Sequence, residues 1–180
     1  MSLRHGGYAA TLLASLAGLT STSALAQDLT GTIDVSLELT EACSVNGSTE
    51  TTGLDFGALD FGTQTTLFEQ VDSEVQSGGG SIEVLCSPGT EPAVAVTGGA
   101  NDAESGSATH AMTNGTSFVP YSLYTDAGRT TELGLNNPTA LAGEPDGVNP
   151  QTLDLYGRAF GQEGLTPGTY SDTLNVVLTF

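Results

Sequence analysis

Few side chains in this sequence could do chemistry. His110 is the only histidine beyond the first 26 residues, so a multi-histidine metal site is excluded there and at most one imidazole base remains. It sits in Ala108-Thr109-His110-Ala111-Met112, and no Gly-x-Ser-x-Gly elbow occurs to supply a nucleophile. A polar surface or edge-strand position is the plainer reading. Asp55-Phe56-Gly57 and Asp60-Phe61-Gly62 imitate the metal-binding triplet of kinases, but the chain has no lysine, no Gly-rich phosphate loop and no His-Arg-Asp motif. The repeat reads as strand plus turn, with Phe directed to a core and Gly at the bend. Asp102 with Glu104, and Glu144 with Asp146, have the residue types of a calcium site or a glycosidase pair. No EF-hand spacing surrounds them, and carboxylates in Gly-rich loops of so acidic a chain read as solvated. Asn46-Gly47-Ser48 and Asn114-Gly115-Thr116 match the glycosylation sequon, which matters only where the modifying machinery exists. No catalytic residue, metal or cofactor is assigned.

The two cysteines, Cys43 and Cys86, lack both a C-x-x-C spacing and neighbouring histidines. In an exported chain they are expected to form one disulfide, stabilising by about 4 kcal/mol in the chain-entropy treatment of such a loop. Export is read from the first residues: Arg4 and His5 precede an apolar tract from Tyr8 to Leu19, then Ala24-Leu25-Ala26. Residues 1–26 are therefore assigned as a signal peptide. No later run of about 20 apolar residues appears, so membrane insertion is not expected. The remaining 154 of 180 residues suit one domain. They hold Arg129 and Arg158 against 21 carboxylates. That balance disfavours nucleic acid and anionic membrane surfaces, and fits solubility or a salty medium.

The elements that must carry these residues are strands. Helical spacing is absent after residue 26, whereas short β patterns recur at 29–40, 54–59, 67–71, 81–86, 93–97, Phe118–Tyr124, 151–160 and 170–180. Gly-rich or polar loops are expected at 77–80, 98–107 and 136–150. Such a series, with a disulfide joining distant segments, predicts an all-β, immunoglobulin-like antiparallel sandwich. The first strand pattern has Leu29, Gly31, Ile33, Val35, Leu37 and Leu39 in one phase and Asp28, Thr30, Thr32, Asp34, Ser36, Glu38 and Thr40 in the other. The last pattern mirrors it, with Tyr170, Leu174, Val176, Leu178 and Phe180 in phase. A closed domain would pair these two with each other. The alternative is a domain short of one strand that offers its leading segment to a neighbour.

The order Cys43-Ser44-Val45, Asp60-Phe61-Gly62, Val84-Leu85-Cys86, then Val119-Pro120-Tyr121-Ser122-Leu123-Tyr124-Thr125-Asp126, Leu155-Tyr156-Gly157-Arg158 and Pro167-Gly168-Thr169-Tyr170-Ser171-Asp172 resembles the spore coat protein U domain. That domain forms the subunits of archaic, Csu-type chaperone-usher pili. The resemblance implies an incomplete sandwich completed by donor-strand exchange: 27–41 as donor extension and 42–180 as pilin domain. Leu29, Ile33, Val35, Leu37 and Leu39 would fill pockets in another subunit, with Gly31 where space is tight. The strand from Tyr170 to Phe180 would line the receiving groove. It further implies identical or related subunits as partners in a head-to-tail polymer, a periplasmic chaperone, an outer-membrane usher, and a place on the cell surface in adhesion and biofilm formation. The competing expectation is a self-contained secreted β-sandwich acting as a coat or binding protein.

Overall fold

The computed structural model describes residues 27–180; the assigned signal peptide lies outside them. Eleven strands run in chain order: β1 Cys43–Val45, β2 Ala58–Leu59, β3 Gln70–Gln76, β4 Ile82–Cys86, β5 Ala93–Gly99, β6 His110–Thr113, β7 Phe118–Tyr124, β8 Thr139–Ala140, β9 Gln151–Leu153, β10 Tyr156–Phe160 and β11 Leu174–Thr179. The described residues contain no α-helix, only a 3-10 turn at Asp102–Glu104. None of their helices could cross a membrane.

All strand pairs are antiparallel. One sheet has the order β2-β3-β10-β7-β6, and two smaller ones have the orders β1-β4-β9 and β11-β5-β8. A single apolar cluster unites them, since Val45, Ile82, Val84, Val94, Val96 and Leu153 from the small sheets bury against Leu123 of β7. This is the expected all-β sandwich, and Leu39–Phe180 forms one compact unit. Alternation explains why each strand sits as it does. Ile82, Val84 and Cys86 point inward while Glu83 points out. β7, flanked on both sides and buried from Val119 to Leu123, reads instead as a continuous apolar run. Its Pro120 is tolerated because the β10 ladder begins only at Tyr121.

The disulfide joins Cys43 to Cys86, which are direct register partners of β1 and β4. Asp55 and Asp60 each accept a hydrogen bond at 2.8 Å from the N–H of the glycine two residues on, turning the chain at Gly57 and Gly62. Phe56 then packs on that apolar cluster and Phe61 on a second one around Val119, Tyr121 and Ala159, each Phe turned to a core as read from the sequence. Gly57 has φ of +105°, and a Cβ there would lie 2.6 Å from the Gln76 carbonyl oxygen, so no other residue fits without displacement. That turn also corrects the expected strand at 54–59, which shortens to β2.

Other boundaries differ for physical reasons. The expected 151–160 strand is two: β9 pairs β4, β10 pairs β3 and β7, and buried Leu155 bridges them with its carbonyl bonded to Val75 N–H at 2.8 Å. The 67–71 strand begins only at Gln70, leaving Leu67 in a turn and exposed. β1, β6 and β8 span two to four residues, too few to show a period. Residues 27–42 carry no regular structure, against the strand expected at 29–40: alternation chooses a face, but a strand also needs a neighbour's backbone, and none is bonded along 29–40.

Candidate functional site

β11 is an edge strand. It pairs with β5 from Leu174 opposite Gly99 to Thr179 opposite Ala93, with an irregularity at Asn175/Val176, and its second edge has no ladder partner among the described residues. Beside it runs a groove of about 1110 Å³. All five residues expected along it, Tyr170, Leu174, Val176, Leu178 and Phe180, line that groove, although Tyr170 precedes β11 and Phe180 follows it. Leu54, Phe56 and Leu59, from the segment leading into β2, line it too. These residues reach the main apolar cluster yet stay half-exposed, as do Val75, Leu174, Val176 and Leu178. The core of this domain is thus uncovered along one line.

The unpaired backbone edge and the apolar lining coincide. An exposed edge of this kind is a template for another chain's strand, and an uncovered apolar line is a strong association surface. The charged residues of the lining are Glu50, Asp55 and Asp172, with no base among them.

The entry to β11 is held by polar contacts. Thr113 and Ser171 exchange two backbone hydrogen bonds of 3.0 Å, tying the segment before β11 to β6. Tyr121 donates its hydroxyl to Asp172 at 2.8 Å, and the other oxygen of Asp172 accepts from Ala100 N–H and the Asn101 amide, both at 3.1 Å. Burial, then that carboxylate, pushes the Tyr121 phenol well above its ordinary value. Behind it lies His110, on the edge strand β6 as one of the two sequence readings has it, but fully buried rather than at the surface. Its Nδ1 is 2.8 Å from Asp102, whose other oxygen accepts from Gly99 N–H at 2.7 Å. This network was invisible in sequence because its members lie on β6, the 3-10 turn, β7 and the approach to β11. It positions backbone, and no nucleophile stands at His110.

Several of the remaining candidates make structural contacts. Asp146 caps its own loop through Asn149 N–H, the Asn149 amide and Val148 N–H, which hold its carboxyl below the usual range. Among the described residues no three His, Cys, Asp or Glu converge as a metal site. Asn46 bonds Asp55 O and Glu83 N–H, and Asn114 caps the turn to Ser117. Arg158 grips Asp72 through two bonds of 2.7 and 2.9 Å on the five-stranded sheet. Arg129 donates to the Gly157 and Ser73 carbonyls of the same sheet.

The donor candidates lie outside the compact unit or at its first residue. Leu29, Ile33, Val35, Leu37 and Leu39 are between 82% and 100% exposed, and Gly31 is exposed beside them. Five large aliphatic side chains facing water in one phase are costly to leave uncovered.

No curated protein matches significantly. One solved structure, the CsuC-CsuE chaperone-tip adhesion subunit pre-assembly complex from archaic chaperone-usher Csu pili of Acinetobacter baumannii, is similar at 17% identity with a TM-score of 0.44. The match covers 79% of this chain and 40% of that one, so this chain spans well under half its length. The sequence profile of the Spore Coat Protein U domain matches residues 29–177, nearly the whole described chain. The chain belongs to the Spore Coat Protein U domain family.

Proposed function

We propose that this protein is a structural, non-catalytic subunit of a surface pilus assembled by the chaperone-usher pathway, and that residues 29–39 of one copy complete the sheet of the next. One observation carries the reading: an unpaired β11 edge coincides with an uncovered line of core, while an apolar ribbon over residues 29–39 stands exposed in the same chain. The family match begins at residue 29, inside that ribbon, which supports treating it as part of the module.

In this reading the segment adds a strand along β11 by β-augmentation. Leu29, Ile33, Val35, Leu37 and Leu39 enter the groove, Gly31 passes a tight point, and Asp34, Ser36 and Glu38 remain wet. Five aliphatic side chains at about 1.5–3 kcal/mol each give roughly 8–15 kcal/mol before ordering costs, and the backbone bonds add to it. A donor and an acceptor on different surfaces make a non-closing contact, which propagates as a filament. Before assembly a periplasmic chaperone covers the groove, the outer-membrane usher exchanges it for the next subunit, and the fibre serves adhesion and biofilm formation at the cell surface. The test is deletion of residues 27–39 in producing cells. Loss of fibres by electron microscopy is expected, and normal fibres from the truncated protein reject the proposal.

A further inference from the structure

We infer that the joint between copies is like-charged on both sides, so that ionic strength gates donor insertion. This rests on the donor-strand reading above and concerns how that same groove is regulated. The segment to be inserted carries Asp34 and Glu38, flanked in the 27–41 extension by Asp28 and Glu41, and has no basic side chain. The groove that would receive it presents Glu50, Asp55 and Asp172 and likewise no base.

Apart from the single α-amino group that a chain beginning at Gln27 carries, nothing else in residues 27–180 can neutralise the approach. The chain has no lysine, and beyond residue 26 its only arginines are Arg129 and Arg158. Both are engaged on the five-stranded sheet, Arg158 by its paired bonds to Asp72 and Arg129 by the carbonyls of Gly157 and Ser73, and neither lines the groove. The whole chain carries a formal charge of −18, so repulsion between copies acts before the joint is reached. Complementary charge speeds encounter, and matched charge of one sign slows it by the same physics. The screening length falls from about 30 Å at 0.01 M salt to about 10 Å at 0.1 M and about 3 Å at 1 M. Insertion therefore accelerates steeply across that range, and the apolar pockets take over once the charges are screened.

The experiment uses chain lacking residues 1–26 with its disulfide intact, at fixed concentration, with polymer growth followed by light scattering at about 0.01, 0.1 and 1 M NaCl. Wild type is expected to polymerise on the order of tenfold or more faster at the top of the range. The double variant Asp34→Asn, Glu38→Gln changes only the wet phase, and its salt dependence is expected to be clearly shallower than that of wild type. A wild-type rate independent of salt, or a variant with the wild-type slope, overturns the inference while leaving donor insertion standing. So does a low-salt rate loss that merely tracks loss of folded signal in circular dichroism on the same samples. Absence of polymer from wild type at every salt concentration instead rejects the donor-strand reading, and this inference with it.

Discussion

Residues 29–39 and β11 carry the same binary pattern but are found in opposite conditions. In β11 the apolar phase of Leu174, Val176 and Leu178 is half-buried because β5 supplies a ladder on one side and the core lies beneath. In residues 29–39 the matching phase of Ile33, Val35 and Leu37 is bare and the backbone unladdered. The contrast separates two things a strand needs. Side-chain alternation decides which face is wet, whereas being a strand at all depends on a neighbour's N–H and C=O groups. β11 has one such neighbour and room for a second. The leading segment has none.

The largest expected effect breaks the contrast at its apolar phase. The double variant Ile33→Asp, Leu37→Asp alters side chains that are almost fully exposed, so the melting temperature of the isolated subunit should stay within a degree or two. Placing two carboxylates in an apolar groove costs several kcal/mol, so sedimentation should find no polymer. Polymer at wild-type yield would show that this phase does not enter the groove.

Next in size is the bond that holds β1 to β4. Cys43→Ala with Cys86→Ala should lower subunit stability by about 2–5 kcal/mol in urea titration, because the bridge closes a separation of 43 residues. Cys86 is buried while Cys43 is half-buried beside the groove, and because the bridge lies within one subunit the loss should already appear without polymerisation.

The third test sets closed core against open core. Ile82→Ala removes a wholly buried side chain and should cost about 2–5 kcal/mol in the isolated subunit. Val176→Ala, half-exposed along the groove, should cost under about 1 kcal/mol there. In polymer the second cost should grow, since the site becomes covered. An equal cost in both states would place Val176 outside the joint.

The smallest effect concerns the contact that sets the approach to β11. The Tyr121 phenol is held neutral in the fold, above its ordinary value near 10. The unfolded chain releases that proton first as pH rises, so this contribution is complete below about pH 10 and falls above it. Tyr121→Phe should cost about 1 kcal/mol at pH 7 and show a flatter decline above pH 10 in chemical denaturation. Parallel declines would mean that the phenol is not the group responsible.

How far the sequence could be read follows from the same contrast. Alternation located β4 and the apolar phase of β11, short apolar runs located β5 and β7, and the Asp-Phe-Gly repeat gave the two bends at Gly57 and Gly62. What it could not give was partnership. Leu153, Leu155, Gly157 and Ala159 keep a single phase through 151–160, so nothing in the pattern marks the point where the chain leaves β4 for β3 and β7. The groove is a gap between β11 and the segment at 54–59, more than 100 residues earlier, and it exists only once both are packed. His110 lies on an edge strand, as one sequence reading has it, but its burial was hidden for a related reason. A polar residue on a four-residue strand looks like surface until Asp102, on a turn eight residues away, closes over it.

Backbone hydrogen–deuterium exchange, read in subunit and in polymer, addresses the account most directly. In the subunit, amides of residues 29–39 should exchange at once, and only the β5-facing amides of Leu174–Thr179 should be slow. In polymer both segments should become protected together. Polymer in which residues 29–39 still exchange freely would contradict donor insertion, whatever else held the fibre together.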